Sequence, residues 1–317
     1  MDSDLQAQLA ERNIVCLAGG VGGAKLADGL AQIVPPESLT IIVNTGDDFQ
    51  HLGLTVCPDL DTVTYTLGGV ANPQTGWGRV NETWISFAEV ERLGGPAWFQ
   101  LGDLDLATHL VRSQRLAAGE SLTAVTRHLA QQFGIRPHLL PMSDQAAPTM
   151  IDSEKGLLSF QTWFVKKRWQ PAVRAVCLPD DVRATTQVMR ALEYADYVII
   201  APSNPFVSVD PILNVYPIRE MVMDLPRAVV AVTPIISGKA VKGPAAKMMA
   251  ELEMPVTAAA VAKYYGELID GFIIDRQDAG QSEQLDCSFL ARNTIMADAA
   301  DRARLAKDVL SLALQIA

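Results

Sequence analysis

Directly after the apolar run Asn13 to Ala18 (NIVCLA), four of the next five residues are glycines: Gly19, Gly20, Gly22 and Gly23. A run of that length reads as a buried strand, and Gly23 to Val34 then carry helix-forming residues until Pro35 and Pro36 stop them. Leu39 to Val43 (LTIIV) follows as a second apolar strand. Two strands joined through a helix pair in parallel, so the opening predicts a βαβ unit. Glycines between strand and helix let backbone N–H groups approach an anion at the positive helix end. Gly20, Gly22, Gly23 and Lys25 are therefore the candidate phosphate-contacting residues, the alternative being a tight packing turn. A dinucleotide fingerprint wants glycine where Lys25 stands, and a Walker loop wants Ser or Thr where Leu26 stands, so neither generic pattern is met.

Alternation resumes further along the chain. Strands are predicted near Val173 to Cys177, Tyr197 to Ile200, Ala228 to Val232, Val256 to Val261 and Gly271 to Ile274, with a last helix near Asp298 to Ile316. The middle is different. It holds helices at Asp61 to Leu67, Leu104 to Ala118 and Ser121 to Phe133, then a hairpin pattern from Met150 to Val165. The predicted fold is α/β: a Rossmann-like, doubly wound, mostly parallel sheet with a mixed α+β insertion. Residues 1–67 and 172–317 form the expected nucleotide-binding core, and 68–171 the insertion contributing to the acceptor site.

A formal charge of −10 argues against a surface that holds nucleic acid or anionic lipid. The longest apolar stretches are strand-sized, well short of a membrane helix. The polar segment before Asn13 lacks the basic start and apolar run of a signal peptide, so a cytoplasmic location is expected. The four cysteines, Cys16, Cys57, Cys177 and Cys287, show no C-x-x-C spacing and read as reduced core residues.

Candidate chemistry gathers at predicted strand ends and helix starts. Asn44-Thr45-Gly46-Asp47-Asp48 leaves the second strand; Asp59 and Asp61 open the next helix, and Asp103 and Asp105 another. Loops at the carboxyl ends of parallel strands are where such sheets bind ligands. Carboxylates facing a diphosphate need a cation between them, and Mg2+ accepts one or two carboxylates together with phosphate oxygens. Singly, Asp61 and Asp103 also read as helix caps. Ala201-Pro202-Ser203-Asn204-Pro205 ends another strand, with Ser203 and Asn204 offering hydrogen bonds. His51, His109, His128 and His138 show no zinc spacing, although His109 shares a helix with Asp105. All five tryptophans fall in or beside the insertion.

The blocks AGGVGGAKL (Ala18 to Leu26), NTGDD (Asn44 to Asp48), CPDLDTVTYTLGG (Cys57 to Gly69), GWGRVNETW (Gly76 to Trp84), LGDLDLATHLVR (Leu101 to Arg112), LLPMSD (Leu139 to Asp144), APSNP (Ala201 to Pro205) and TPIISGKAVKGPAAK (Thr233 to Lys247) occur in this order. Together they resemble the 2-phospho-L-lactate transferase (CofD) family of coenzyme F420 biosynthesis. The resemblance implies a Mg2+-dependent transfer in which a hydroxyl of the deazaflavin Fo attacks a guanosine-diphosphate-activated phospho-acid and GMP leaves. The acid is 2-phospholactate, or phosphoenolpyruvate in the bacterial type. It also implies metal-binding roles for Asp47, Asp48 and Asp61 and catalytic roles for Asp61, Asp48 and His109. GDP contacts fall to Gly20, Gly22, Gly23, Lys25, Asn44, Asp103, Asp105, Ser203 and Asn204. Family members are expected to be homodimers with small-molecule substrates. Leu104 and Gln145 stand where relatives carry Arg and Asp, so those charges are not carried over.

Two other readings compete. One is a nucleotide-sugar-binding regulator resembling the YvcK group, which shares the glycine and Asp-Asp loops. The other is an NAD-linked oxidoreductase, with Asp47 or Asp48 as its ribose contact. PDLD, GDLDLATH and PSNP favour the transferase.

Overall fold

The computed structural model describes residues 8, 9 and 11–317. Seven parallel strands make the main sheet: β1 (Ile14–Ala18), β2 (Leu39–Val43), β3 (His138–Pro141), β4 (Tyr197–Ile200), β5 (Ala228–Val232), β6 (Gly271–Asp275) and β7 (Ser288–Arg292). Their spatial order is β7-β6-β5-β4-β1-β2-β3, so the chain winds one way from β1 and the other way from β4. Alternate residues of the central strands feed opposite cores. Val15 and Leu17 of β1 point to one, where Val198, Ile200, Ile212 and Met248 pack; Ile14, Cys16 and Ala18 point to the other, with Leu26, Leu60 and Val309. The second core is covered by helices α1 (Gly20–Ala31), α2 (Pro58–Leu67) and the C-terminal helix Ala299–Ile316, whose N-cap is Asp298. No helix of the described residues is long and apolar enough to cross a membrane.

The domain boundaries need correction. β3 lies inside the expected insertion, yet it hydrogen-bonds to β2 at the sheet edge and buries Leu139 and Leu140. Its four residues, ending on Pro141, are too few to show a strand period. Conversely, Val173–Cys177, expected in the core sheet, pairs antiparallel with Met150–Ser153, which also pairs with Gly156–Ser159. The segment around Val256 to Val261 is not a strand: Thr257 caps a helix, Ala258–Tyr265, by accepting from the Ala260 N–H. Three helices stand between α2 and β3: α3 (Ile85–Arg92), α4 (Asp103–Ala117) and α5 (Leu122–Gln132). Cys16 and Cys57 are buried free thiols as expected, whereas Cys177 is exposed and Cys287 half-buried.

Candidate active site

The carboxyl ends of β1, β2 and β4 meet where the strand order reverses, the position at which open α/β sheets leave a crevice. Much of the polar chemistry there ties the loops to one another. The Gly19 N–H donates to Ser203 Oγ (3.2 Å), which donates in turn to the Gly19 carbonyl (2.8 Å). Asn44 Nδ2 donates to Asp59 Oδ2 (2.9 Å) and to the Val207 carbonyl (3.2 Å), while its Oδ1 accepts from the Gly46 N–H (2.8 Å). Asp59 also accepts from the Gly20 N–H, placing a carboxylate at the positive end of α1. Burial still lifts Asp59 to about 6, against the opposing pull of the Asn44 and Gly20 bonds. A Cβ on Gly22 would lie 2.4 Å from the Pro202 carbonyl oxygen, and one on Gly23 2.6 Å from Ser203 Oγ. These glycines let α1 pack directly on the loop after β4.

Two neighbouring acids are differently placed. Asp47 Oδ2 accepts from Gln161 Nε2 (3.0 Å), but Asp47 Oδ1 and Asp48 Oδ1 are buried with no hydrogen-bond partner. Burial pushes both carboxyls well above the usual range; Asp59 and Asp48 add to this at Asp47, whereas the Cys57 thiol and Arg112 partly offset it at Asp48. Beyond them, Arg112 Nη1 donates to Asp61 Oδ2 (3.0 Å) and Arg112 Nη2 to Asp61 Oδ1, closing a buried bidentate pair. Arg112 Nη1 also lies 3.1 Å from His109 Nδ1. His109 Nε2 is 3.3 Å from Asp105 Oδ1, which accepts from Tyr65 Oη (2.7 Å). Asp61, Asp105 and His109 thus bring possible ligand atoms within 4.8 Å of one another. A cavity of about 60 Å³ opens beside them, lined in part by Trp77, Phe99, Tyr65 and His109.

This crevice can be set beside known proteins. The profile described as 2-phospho-L-lactate transferase CofD matches residues 14–313, nearly the whole chain. The chain belongs to the CofD family. It is 44% identical to a phosphoenolpyruvate transferase of Kitasatospora aureofaciens over 96% of this chain and 98% of the relative. It is 41% identical to a phosphoenolpyruvate transferase of Streptomyces griseus (96% and 99%), and 36% identical to a 2-phospho-L-lactate transferase of Methanosarcina mazei (94% and 98%). A solved UPF0052-family protein of Bacillus halodurans superposes with a TM-score of 0.64 at 15% identity, covering 94% of this chain and 98% of its own, which bears on the fold alone.

Within the CofD chain, the expected site residues divide. Asp47, Asp48, Asp59 and Asp61 converge, as do Asp105 and His109. Asp103 instead accepts from the Ile85 N–H (3.0 Å) and Ser86 N–H (2.9 Å) at the start of α3, while Glu82 accepts from the Leu104 N–H (2.8 Å) and Asp105 N–H (2.9 Å) at the start of α4. The bonds from Thr83 and Ser86 hold Asp103 down at about 2. Asn204 Oδ1 accepts from the Phe206 N–H (3.0 Å), an intraloop bond. Lys25 turns toward the C-terminal segment, donating to the Met296 carbonyl (2.7 Å). His51 is packed among Phe49, Trp98 and Phe99. Residues the sequence reading passed over are Tyr65, Glu82, Arg112, Gln161 and Lys242. Lys242 donates to the Thr75 carbonyl (2.7 Å) and lies so close to Gly76 that a Cβ there would sit 2.3 Å from its Nζ. Arg112 was discoverable: it follows His109 by three positions, hence on the same helical face.

Proposed function

We propose that this chain transfers a three-carbon phospho-acid from its guanosine-diphosphate-activated form to the terminal ribityl hydroxyl of the deazaflavin Fo, releasing GMP. The observation that carries the reading is the pair of buried, unpartnered carboxylate oxygens of Asp47 and Asp48 near Asp59, which itself accepts from the Gly20 N–H of α1, in a chain of the CofD family. An orphaned buried carboxylate oxygen is costly unless a cation or proton meets it. Asp47 and Asp48 would hold Mg2+ through those atoms, whereas both Asp61 oxygens already accept from Arg112. Mg2+ bound there supplies charge neutralisation for the diphosphate. N–H groups of the first turn of α1 that Asp59 does not take would meet the same anion.

The acceptor hydroxyl oxygen attacks the phosphorus that carries the acid. A P–O bond forms to Fo, the P–O bond to the guanylyl phosphate breaks, and GMP leaves with that oxygen. The hydroxyl proton passes to the carboxylate cluster. Positioning and charge neutralisation dominate such transfers. The cavity of about 60 Å³ is much smaller than a pocket enclosing a drug-sized ligand, so the deazaflavin lies across its mouth, where Trp77 is exposed. The 44% identity to a phosphoenolpyruvate transferase, against 36% to the lactyl enzyme, makes the enolpyruvyl donor the first choice. The test offers Fo with each activated donor and Mg2+ and follows the product by mass spectrometry. Phosphodiester-linked Fo with stoichiometric GMP supports the reading; nucleotide binding without GMP release would replace it with the regulator.

A further inference from the structure

The cluster of Asp61, Asp105 and His109 has the donor set of a small metal site, yet a guanidinium already occupies it. Arg112 is 2% exposed, His109 1%, Asp61 5% and Asp105 7%. Both Asp61 oxygens accept from Arg112, and the same Nη1 lies 3.1 Å from His109 Nδ1. A guanidinium has only donors and stays charged, so Nδ1 must face it with a lone pair. A neutral imidazole then carries its proton on Nε2, which lies 3.3 Å from Asp105 Oδ1 without completing a hydrogen bond to it. That oxygen receives the Tyr65 hydroxyl, which fixes its orientation. His109 is left with no free lone pair for a metal or for a substrate proton.

We propose that Arg112 is the resident cation of the Asp61–Asp105–His109 cluster and the positioning residue that locks His109 as its Nε2–H tautomer, keeping metal out of the cluster. It builds on the transferase reading and divides that site in two. Asp47 and Asp48 face the divalent cation. The cluster one layer further holds an arginine instead, and presents Asp61 to Asp48 in one orientation. Arg112 touches no reacting atom. It acts through the two groups it holds, both on the border of the small cavity.

Ring-nitrogen NMR of His109 in the wild-type protein tests this without any turnover. Expected are a protonated Nε2 and an unprotonated Nδ1, unchanged when Zn2+ is added. A protonated Nδ1, or loss of the Nε2–H signal on zinc ligation, overturns the proposal. In Arg112→Met, one Zn2+ should bind with His109 as ligand and be lost again in Arg112→Met/His109→Gln; a folded Arg112→Met that binds no such zinc also counts against it. Arg112→Lys keeps the charge but not the fork. Its kcat should fall by about a hundredfold with donor KM changed less than about threefold, the pattern of a lost transition-state arrangement. If Arg112→Met does not fold, the wild-type spectra still decide. A chain with the expected spectra but no transfer to Fo would defeat the functional reading and leave this one standing.

Discussion

At the residue scale, neighbouring aspartates have opposite relations to their surroundings. Asp61 is matched by Arg112, whereas Asp47 and Asp48 each leave one buried oxygen unmet in the field of Asp59. As a helix-start residue, Asp61 would lose little stability on conversion to Asn. The buried pair reverses that expectation: Asp61→Asn strands the Arg112 charge, a change that costs about 3–5 kcal/mol. Urea unfolding should show the loss, and an unchanged midpoint would mean the pair carries no weight. Asp48→Asn removes a buried carboxylate that burial disfavours. It should unfold no more easily than wild type without Mg2+, while transfer drops about a hundredfold, the scale for losing a transition-state electrostatic contact. Near wild-type GMP release from Asp48→Asn would remove it from the site. Sequence spacing brought these acids to attention, but could not say which one has a partner, because Arg112 meets Asp61 across 51 positions of chain.

At the element scale, the glycine turn and the helix starts do structural work that motif reading assigned to ligands. As a phosphate contact, Gly22 would tolerate a branched side chain without loss of the fold; as part of a packing turn it would not. With the Pro202 carbonyl 2.4 Å from a Cβ, Gly22→Val must push α1 off the loop after β4. Overpacking of this kind costs about 1–3 kcal/mol, occasionally more, and calorimetry should find the mutant unfolding at a lower temperature even without nucleotide. A melting temperature equal to wild type would restore the pure ligand-contact reading. Asp103 and Glu82 cap each other's helices, α3 and α4. Asp103 is held at about 2, below its ordinary 3.8, so its contribution is present above pH 3.8 and lost as pH falls through 2. Asp103→Ala should therefore lower stability at neutral pH, with the gap to wild type closing as the solution is acidified through that window. A gap that persists at the acid end would point to something other than the carboxylate's bonds.

At the scale of the whole molecule, the sheet order gathers loops from β1, β2 and β4 into one crevice and hands the helices α2 to α4 the job of closing its side. Binding a ligand only to this assembled state stabilises it by mass action, about 2.7 kcal/mol at a hundredfold excess over Kd. GDP with Mg2+ should raise the melting temperature, and Mg2+ alone should do so in wild type but not in Asp47→Asn/Asp48→Asn; a flat response to both would empty the crevice of its proposed role. The parallel α/β class, β1, β2, β4, β5 and the capped C-terminal helix were legible along the chain, because hydrophobic period, glycine, proline and Asp298 are local signals. So was the list of acids that could meet. Tertiary structure alone decided that β3 joins the main sheet, that Val173–Cys177 leaves it, and that Ser203 and Asn44 spend their hydrogen bonds inside the loops. The same holds for Arg112, whose charge is matched by a partner that only packing brings near. Local sequence sets backbone preference and which face is apolar, while the pairing of buried charges depends on distances that exist only after the strands have been ordered.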